Sequence, residues 1–547
     1  MHPCVIKRSR MPKNIIICSD GTGNTAIKDR GTNVFKMFEA IDLNGHRINP
    51  YLDPQVAFYD DGVGTETFLP LKLLGGAFGF GLAKNVRNLY MDLVRVYDPG
   101  NDTTPADRIY LFGFSRGAFT VRTLAGLIAK CGVLDRNKLP DTDALRSTVR
   151  KAYSTYRRSY RTVLGSLLNR ILVGLRLRRP DSDAMAEFKR TNSIPGEVRI
   201  RFIGVWDTVD AVGGPFHTSD VINAVFHRFK FPDQILSDKV DRAVHALSID
   251  EARAAFGPVL WEAKPNVEQV WFSGVHSNVG GGYPKQGMSL VTLDWMMQKA
   301  QQNGLRILPD DRKNYWEHGN VDDKMYDSRA GLGVFYRWKP RNMQKLWVDQ
   351  KAGTLPTVHL SVLERIAHGT DGYAPGTLAP DVSVTFTSSN DLKQNEALII
   401  RARAAKSALD TAYARSGSNL QQARGTVFIG RIAYYIYVLC CLAAFLAASV
   451  PPDAGSRRNP WIVLKNAGTL VYDVVTVQWE PPFSAAKRLF TDPKLIGTLL
   501  AGFSVAGVLA YIVDHRRSLV FSRYWHDARQ DLRNALKSAR NVLLSRA

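Results

Sequence analysis

Five cysteines in 547 residues (Cys4, Cys18, Cys131, Cys440 and Cys441) form neither a paired framework nor the close Cys/His spacing of a zinc centre. A disulfide scaffold and a metal site are therefore not expected, and no organic cofactor is called for. The first ten residues carry charge without a following apolar stretch, so no cleavable signal peptide is expected. Acids are scarce as well: 50 Asp and Glu stand against 72 Lys and Arg, for a net charge of +22. Such a balance fits nucleic acid or an anionic surface, but no nucleic-acid motif accompanies it, which argues against that partner. There is no internal repeat and no low-complexity tract. The run from Gly75 to Gly81 does not match Gly-x-Gly-x-x-Gly and follows a poor strand, so it reads as a flexible loop before a helix, a candidate lid hinge.

The chain does have a strand, a tight turn and a helix in unbroken order. Arg108 to Phe114 alternates as a short strand, Gly113-Phe114-Ser115-Arg116-Gly117 makes a Gly-x-Ser-x-Gly turn, and the residues after Arg116 read as a helix. This is the context of a nucleophile elbow, in which the serine hydroxyl stands above the sheet edge and the flanking glycines relieve crowding. A plain strand-to-helix connection with a capping serine is the alternative.

A serine needs a base within reach and an acid to orient that base, and in α/β-hydrolases the chain order is Ser, Asp or Glu, then His. Val198 to Val209 is an apolar-alternating strand ending at Asp207. Glu268 to Tyr283 is a second β-rich run that delivers His276 into the glycine-rich stretch Gly280-Gly281-Gly282. Taken singly, Asp207 reads equally as a turn cap and His276 as a loop histidine, but together they complete the required order. His245 lies at helical spacing among apolar residues and reads as a buried structural histidine; His217 and His227 have no distinguishing context. Asp60 and Asp61 precede Ser115, the wrong order for the acid. So does Asp20, which opens a second motif.

That motif is Lys13 to Asn24, a buried-type strand running into Asp20-Gly21-Thr22-Gly23-Asn24. Acyl transfer needs backbone N–H donors aimed at the developing oxyanion. The amide of Arg116, next to the nucleophile, is one candidate, and those of Gly21 and Thr22 are the others. A phosphate loop is disfavoured, because the Gly-Lys-Ser/Thr ending is absent.

With these residues in view, the chain resembles the catalytic domain of type VI secretion phospholipase effectors, a large bacterial and fungal α/β-hydrolase family. The resemblance rests on Asp-Gly-Thr-Gly-Asn at 20–24, Gly-Phe-Ser-Arg-Gly-Ala at 113–118, Gly-Val-Trp-Asp-Thr-Val at 204–209 and Gly-Val-His-Ser-Asn-Val-Gly-Gly-Gly-Tyr at 274–283. It covers roughly residues 13–340. It implies Ser115 as nucleophile, Asp207 as acid and His276 as base, a phospholipid or other lipid ester as substrate, and secretion components or an immunity protein as partners. Asn278 departs from the aspartate that the family often places there.

The C-terminal third brings in a membrane. Ile432 to Val450 and Leu495 to Val513 are each nineteen residues without a charge. Each is about 28 Å long as a helix, close to the ~30 Å hydrocarbon core. Basic residues gather on the outer flanks, which places both ends and the hydrolase on the cytoplasmic side. Tyr434, Tyr435, Tyr437 and Tyr511 stand near the span ends. The basic, leucine-rich stretch 157–179 reads as a helix on an anionic bilayer or as a cap.

The expected organisation is an α/β-hydrolase domain at 13–387 with an inserted cap at about 140–195. A linker and basic juxtamembrane segment follow at 388–431, then a transmembrane hairpin at 432–513 and a basic cytoplasmic tail at 514–547. The expected activity is a membrane-associated serine hydrolase of lipid esters at the inner membrane, acting there or delivered to a target cell. An anchored esterase or thioesterase for soluble substrates, or a catalytically silent scaffold, are the alternatives.

Overall fold

The computed structural model describes residues 11–21, 31–62, 76–158, 181–209, 235–330, 336, 338–373, 375–378, 381–388, 391–449, 461–462, 465–466, 468–469 and 493–544. Within them, eight parallel strands form one sheet in the order β2-β1-β3-β4-β5-β6-β7-β8. The strands are β1 (Asn14–Ser19), β2 (Gln55–Asp60), β3 (Arg108–Phe114), β4 (Ile200–Trp206), β5 (Ala243–Ser248), β6 (Val267–Phe272), β7 (Thr357–His359) and β8 (Ser383–Thr385). The helices that shape the site are α1 (Asn33–Glu39), α2 (Gly76–Val96), α3 (Arg116–Cys131), α4 (Thr142–Arg158), α5 (His276–Gly280), α6 (Gly287–Gln302), α7 (Leu360–His368), α8 (Leu392–Ser449) and α9 (Pro493–Leu544).

The central strands are apolar on both faces, as a parallel sheet covered by helices requires. Alternation sorts their side chains. Ile15, Ile17, Leu111 and Val205 pack with Phe119 and Leu124 of α3 and Leu89 of α2. Ile16, Cys18, Phe112 and Phe202 face the other way, against Val34 of α1 and Leu293 and Met296 of α6. Strand order reverses at β1, whose neighbours are β2 on one side and β3 on the other. Such a reversal opens a crevice at the carboxyl ends of the strands. The loops after β1, β3, β4 and β6 meet there.

A third core cluster joins the far end of the sheet to the C-terminal helices. Trp271 and Val358 pack with Leu363 and Ile366 of α7, Ala405 and Leu409 of α8, and Trp525 and Leu532 of α9. The arm formed by α8 and α9 is antiparallel: the Tyr437 and Phe503 rings lie 5.7 Å apart, and Arg415 pairs with Asp531 at 3.1 Å.

These helices correct the sequence reading of the C-terminal third. Among the described residues, no helix is long and apolar enough to cross a membrane. The two apolar runs sit, over 432–449 and 495–513, inside helices of 58 and 52 residues that pack on each other and on the core at the far end of the sheet. The stretch 388–431, expected to be a linker, is helical from Leu392, and the stretch from 514, expected to be a tail, continues α9 to Leu544. Part of the basic charge read as a membrane flank is bonded to protein carbonyls. Arg533 donates from Nε to Ala367 O at 2.8 Å and from Nη2 to His368 O at 3.1 Å, satisfying the open carbonyls at the end of α7. Arg529 donates to Tyr373 O at 2.9 Å.

Smaller readings change too. The glycine run expected as a loop is helical from Gly76, as the first turns of α2. Within the expected cap, α4 and a helix at Asp181–Asn192 are described, and the basic stretch from 159 to 179 lies outside the described residues.

Candidate active site

The turn after β3 brings the chain over its own sheet edge. Ser115 adopts φ 58° and ψ −121°, a conformation disfavoured for a residue with a Cβ and held by the surrounding packing. Its amide donates to Trp206 O at 3.1 Å, tying the turn to the end of β4. Both glycines are required by close approach. A Cβ on Gly113 would lie 2.7 Å from Ala118 N, and one on Gly117 would lie 2.1 Å from Ser19 O, at the end of β1. Asp207, one residue past β4, also has positive φ, at 39°. Its amide donates to Ala246 O at 2.7 Å, which continues the ladder to β5.

The structure brings Ser115, Asp207 and His276 together. His276 Nε2 lies 2.8 Å from Ser115 Oγ, and its Nδ1 lies 2.5 Å from Asp207 Oδ2. All three side chains are buried. The imidazole is fixed by two rings, with Phe114 at 4.6 Å and Phe256 edge-on at 5.0 Å.

Electrostatics keep this row in one protonation state. Burial alone would raise the Asp207 carboxyl, but the Arg341 guanidinium beside it and the bond to His276 hold it well below the usual carboxylate range. Burial pulls His276 below its ordinary value, against the opposing pull of Asp207. A neutral imidazole between an ionised carboxylate and a hydroxyl is the state from which a proton can be accepted.

Several residues around the site were assigned no role from the sequence. Arg341 grips Asp207 with both arms, Nη1 to Oδ1 at 2.6 Å and Nη2 to Oδ2 at 2.9 Å, and also reaches Ser248 O at 2.7 Å and Phe256 O at 2.6 Å. Ser248 adds its backbone N–H to Asp207 Oδ1 at 3.0 Å. Glu251 is fully buried and held by Arg253, Nε to Oε1 at 2.9 Å and Nη2 to Oε2 at 2.8 Å. It accepts the His276 backbone N–H at 3.3 Å. Burial would raise its carboxyl, but Arg253 brings it down to about 2. Partners 134 residues apart, as Arg341 and Asp207 are, leave no local pattern to read.

The remaining candidates are placed as follows. Asp20 is buried beside the turn at Ser115 and accepts from Tyr59 Oη at 2.7 Å and Thr32 Oγ1 at 2.5 Å. The Gly21 N–H, a candidate oxyanion donor, donates to Asp20 Oδ1 at 2.6 Å. Thr22 lies outside the described residues, as do His217 and His227. Arg116 opens α3 directly after Ser115. Asp60 bonds Ser19 Oγ at 2.9 Å and Asn85 Nδ2 at 2.8 Å, away from the histidine. His245 is buried as expected but on strand β5 and not a helix. Its Nε2 accepts from Thr208 N at 3.0 Å, and burial lowers it to about 3. Asn278 supports the His276 turn, with Oδ1 accepting from Val275 N at 3.3 Å and Nδ2 donating to Lys324 O at 3.2 Å. An aspartate would lose the second bond.

Fold and site together define an α/β protein whose polar centre stands on the carboxyl edge of a parallel sheet. The chain belongs to the family described as the T6SS phospholipase effector Tle1-like catalytic domain, which matches residues 13–299. It is therefore a member of a lipase and phospholipase family. It is similar to the uncharacterized protein YEL023C of Saccharomyces cerevisiae, at 29% identity over 273 residues, which is 47% of this chain. The match spans about a third of that relative, 34% of its length. Two solved structures are also similar. An uncharacterized protein from Pseudomonas aeruginosa has 16% identity, with 73% of this chain and 60% of that one covered and a TM-score of 0.31. The Tle1 effector bound to the VgrG spike from the type 6 secretion system has 13% identity, 63% and 84% covered and a TM-score of 0.32.

Proposed function

We propose that this chain is a serine hydrolase that cleaves carboxylic esters of phospholipids at a membrane surface. The observation that carries the reading is the continuous row Ser115, His276, Asp207 at a strained turn on the sheet edge. In this mechanism Ser115 Oγ attacks the ester carbonyl while His276 Nε2 takes the hydroxyl proton. The oxyanion forms against the Arg116 amide. Gly21 joins it only if its N–H exchanges Asp20 for the oxyanion. The imidazolium then gives the proton to the leaving alcohol and an acyl-Ser115 ester remains. Water, deprotonated by the same base, attacks the acyl carbon, the bond to Ser115 Oγ breaks, His276 returns the proton to Oγ, and the fatty acid leaves. Asp207 stays ionised throughout and holds Nδ1–H in place.

Membrane association is supported by the arm. Leu439 and Leu442 on α8 and Leu500, Val505, Val508 and Tyr511 on α9 are exposed apolar residues. A helix pair with such a flank lies on a lipid interface with its polar side to water. Delivery to a target cell by a secretion spike, with an immunity protein as antagonist, is a proposal carried from the family.

A fluorophosphonate probe is expected to label the full chain at Ser115, labelling to vanish in Ser115→Ala, and fatty acid to be released from phospholipid vesicles by the parent protein alone. Labelling that persists in Ser115→Ala would place the nucleophile elsewhere. No labelling at all would favour the silent scaffold.

A further inference from the structure

We propose that the cavity between the helical arm and the segment around Trp338 receives one fatty acyl chain of the lipid substrate. This rests on the hydrolase reading above and adds a binding site to it. The cavity is open on one side and offers about 480 Å³, within the about 300–1,000 Å³ of sites that hold small organic ligands.

Along its walls, Gly430, Ala433 and Tyr437 recur on α8 at three- and four-residue spacing, and so do Ala506 and Ala510 on α9. Small residues therefore alternate with the Tyr437 and Phe503 rings along the sides of the two helices that face the cavity. Trp338 stands against α8 at its glycine: a Cβ on Gly430 would lie 2.5 Å from Trp338 Cζ3. The indole thus walls the space beside the arm.

The same segment borders the candidate active site. Trp338 bridges antiparallel to Arg253, whose guanidinium stacks 3.5 Å over the Phe256 ring. Phe256 in turn meets His276 at 5.0 Å and Tyr336 at 5.6 Å. Three residues beyond Trp338, Arg341 holds Asp207. This strip of rings, from His276 through Phe256 and Tyr336, is the proposed path between Ser115 and the cavity.

The lining selects the chemistry of the occupant. It is aliphatic and aromatic, and Arg329 is the one charged residue among the described residues that line it. Arg329 lies beside Tyr434 and Tyr437. A long, uncharged chain fits such walls. A nucleotide, a sugar or a charged peptide would leave its polar groups without partners.

The test uses the full chain and separates binding from turnover. Ser115→Ala protein is titrated with cis-parinaric acid, a fluorescent fatty acid, followed by its emission. Gly507 lines the cavity and nothing lies within 4 Å of a Cβ built on it, so Gly507→Leu places a side chain in open space. That variant and Ala510→Leu are each expected to weaken binding about tenfold or more. With Ser115 intact, the same changes should lower the ratio of kcat/KM for a palmitoyl ester to that for a butyryl ester by a similar factor. Gly497 stands on the same helix outside the cavity with equally open surroundings, and Gly497→Leu should leave binding and the ratio unchanged. Absence of parinarate binding, equal binding in all variants, or equal loss in Gly497→Leu would each overturn the proposal. Binding that is lost as expected in a chain that hydrolyses no ester would retain the cavity and remove the hydrolase reading. Ester turnover with unchanged chain-length preference would do the reverse.

Discussion

Arg341 is a positioning residue: it touches neither the serine nor the imidazole, yet it decides how Asp207 presents its charge. Two of its nitrogens occupy one oxygen each of a fully buried carboxylate, leaving the 2.5 Å contact to His276 as the other strong claim on that charge. Replacing the guanidinium by an isosteric apolar chain, Arg341→Met, breaks a buried pair and should cost about 3–5 kcal/mol. It also leaves the full field of Asp207 on the imidazole. Because that field raises His276 while burial lowers it, the imidazole should become more basic, and the acid limb of kcat/KM should move to higher pH. Arg341→Lys restores a charge without the two-pronged grip, so it should return the limb toward its original position while recovering only part of the stability. A profile unmoved in Arg341→Met would assign the residue to packing alone.

At the scale of elements, the β3–α3 turn was legible because its requirements are local: two glycines flank one serine between a strand and a helix, and each glycine faces backbone atoms. Gly117→Ala puts a methyl group onto Ser19 O and should lower stability by about 1–3 kcal/mol in chemical denaturation, with loss of fluorophosphonate labelling as the turn shifts. Unchanged labelling would mean that the end of β1 yields without disturbing Ser115. Asp207 and His276 were legible for a related reason, since each stands at a strand end and the parallel sheet aligns strand ends. His245 shows where this reasoning fails: its apolar neighbours fit a helix and a fully buried strand equally well, and pairing with β4 and β6 decided the matter. Glu251 and Arg253 were silent because their value comes from the backbone amide of His276, 25 residues away. The C-terminal runs misled because a charge-free stretch of nineteen residues has the length of a membrane span, whatever it packs against. What distinguishes them lies outside the runs, in Trp525, Ala528 and Leu532, which continue α9 into the core around Trp271 and Val358.

For the molecule as a whole, the arm shares a buried core with the far end of the sheet. Truncation after residue 390 removes Ala405, Leu409, Trp525 and Leu532 from a cluster that contains Trp271 and Val358. It should lower Tm markedly and abolish turnover of a short soluble ester together with that of vesicle phospholipid. A truncated protein with intact activity on the short ester would show that the arm serves only the lipid surface.

The placement of Trp525 also has a consequence in time. A nascent chain presents the turn at Ser115 to solvent some four hundred residues before the cluster behind β6 and β7 receives the indole of Trp525. Contacts of such sequence separation close late, because a long loop must be ordered before any packing rewards it. Until then the half-built sheet exposes its apolar edge around Trp271 and Val358, on the strand that leads to His276 and on its neighbour. Completion of this core is thus placed late by the order of the sequence itself.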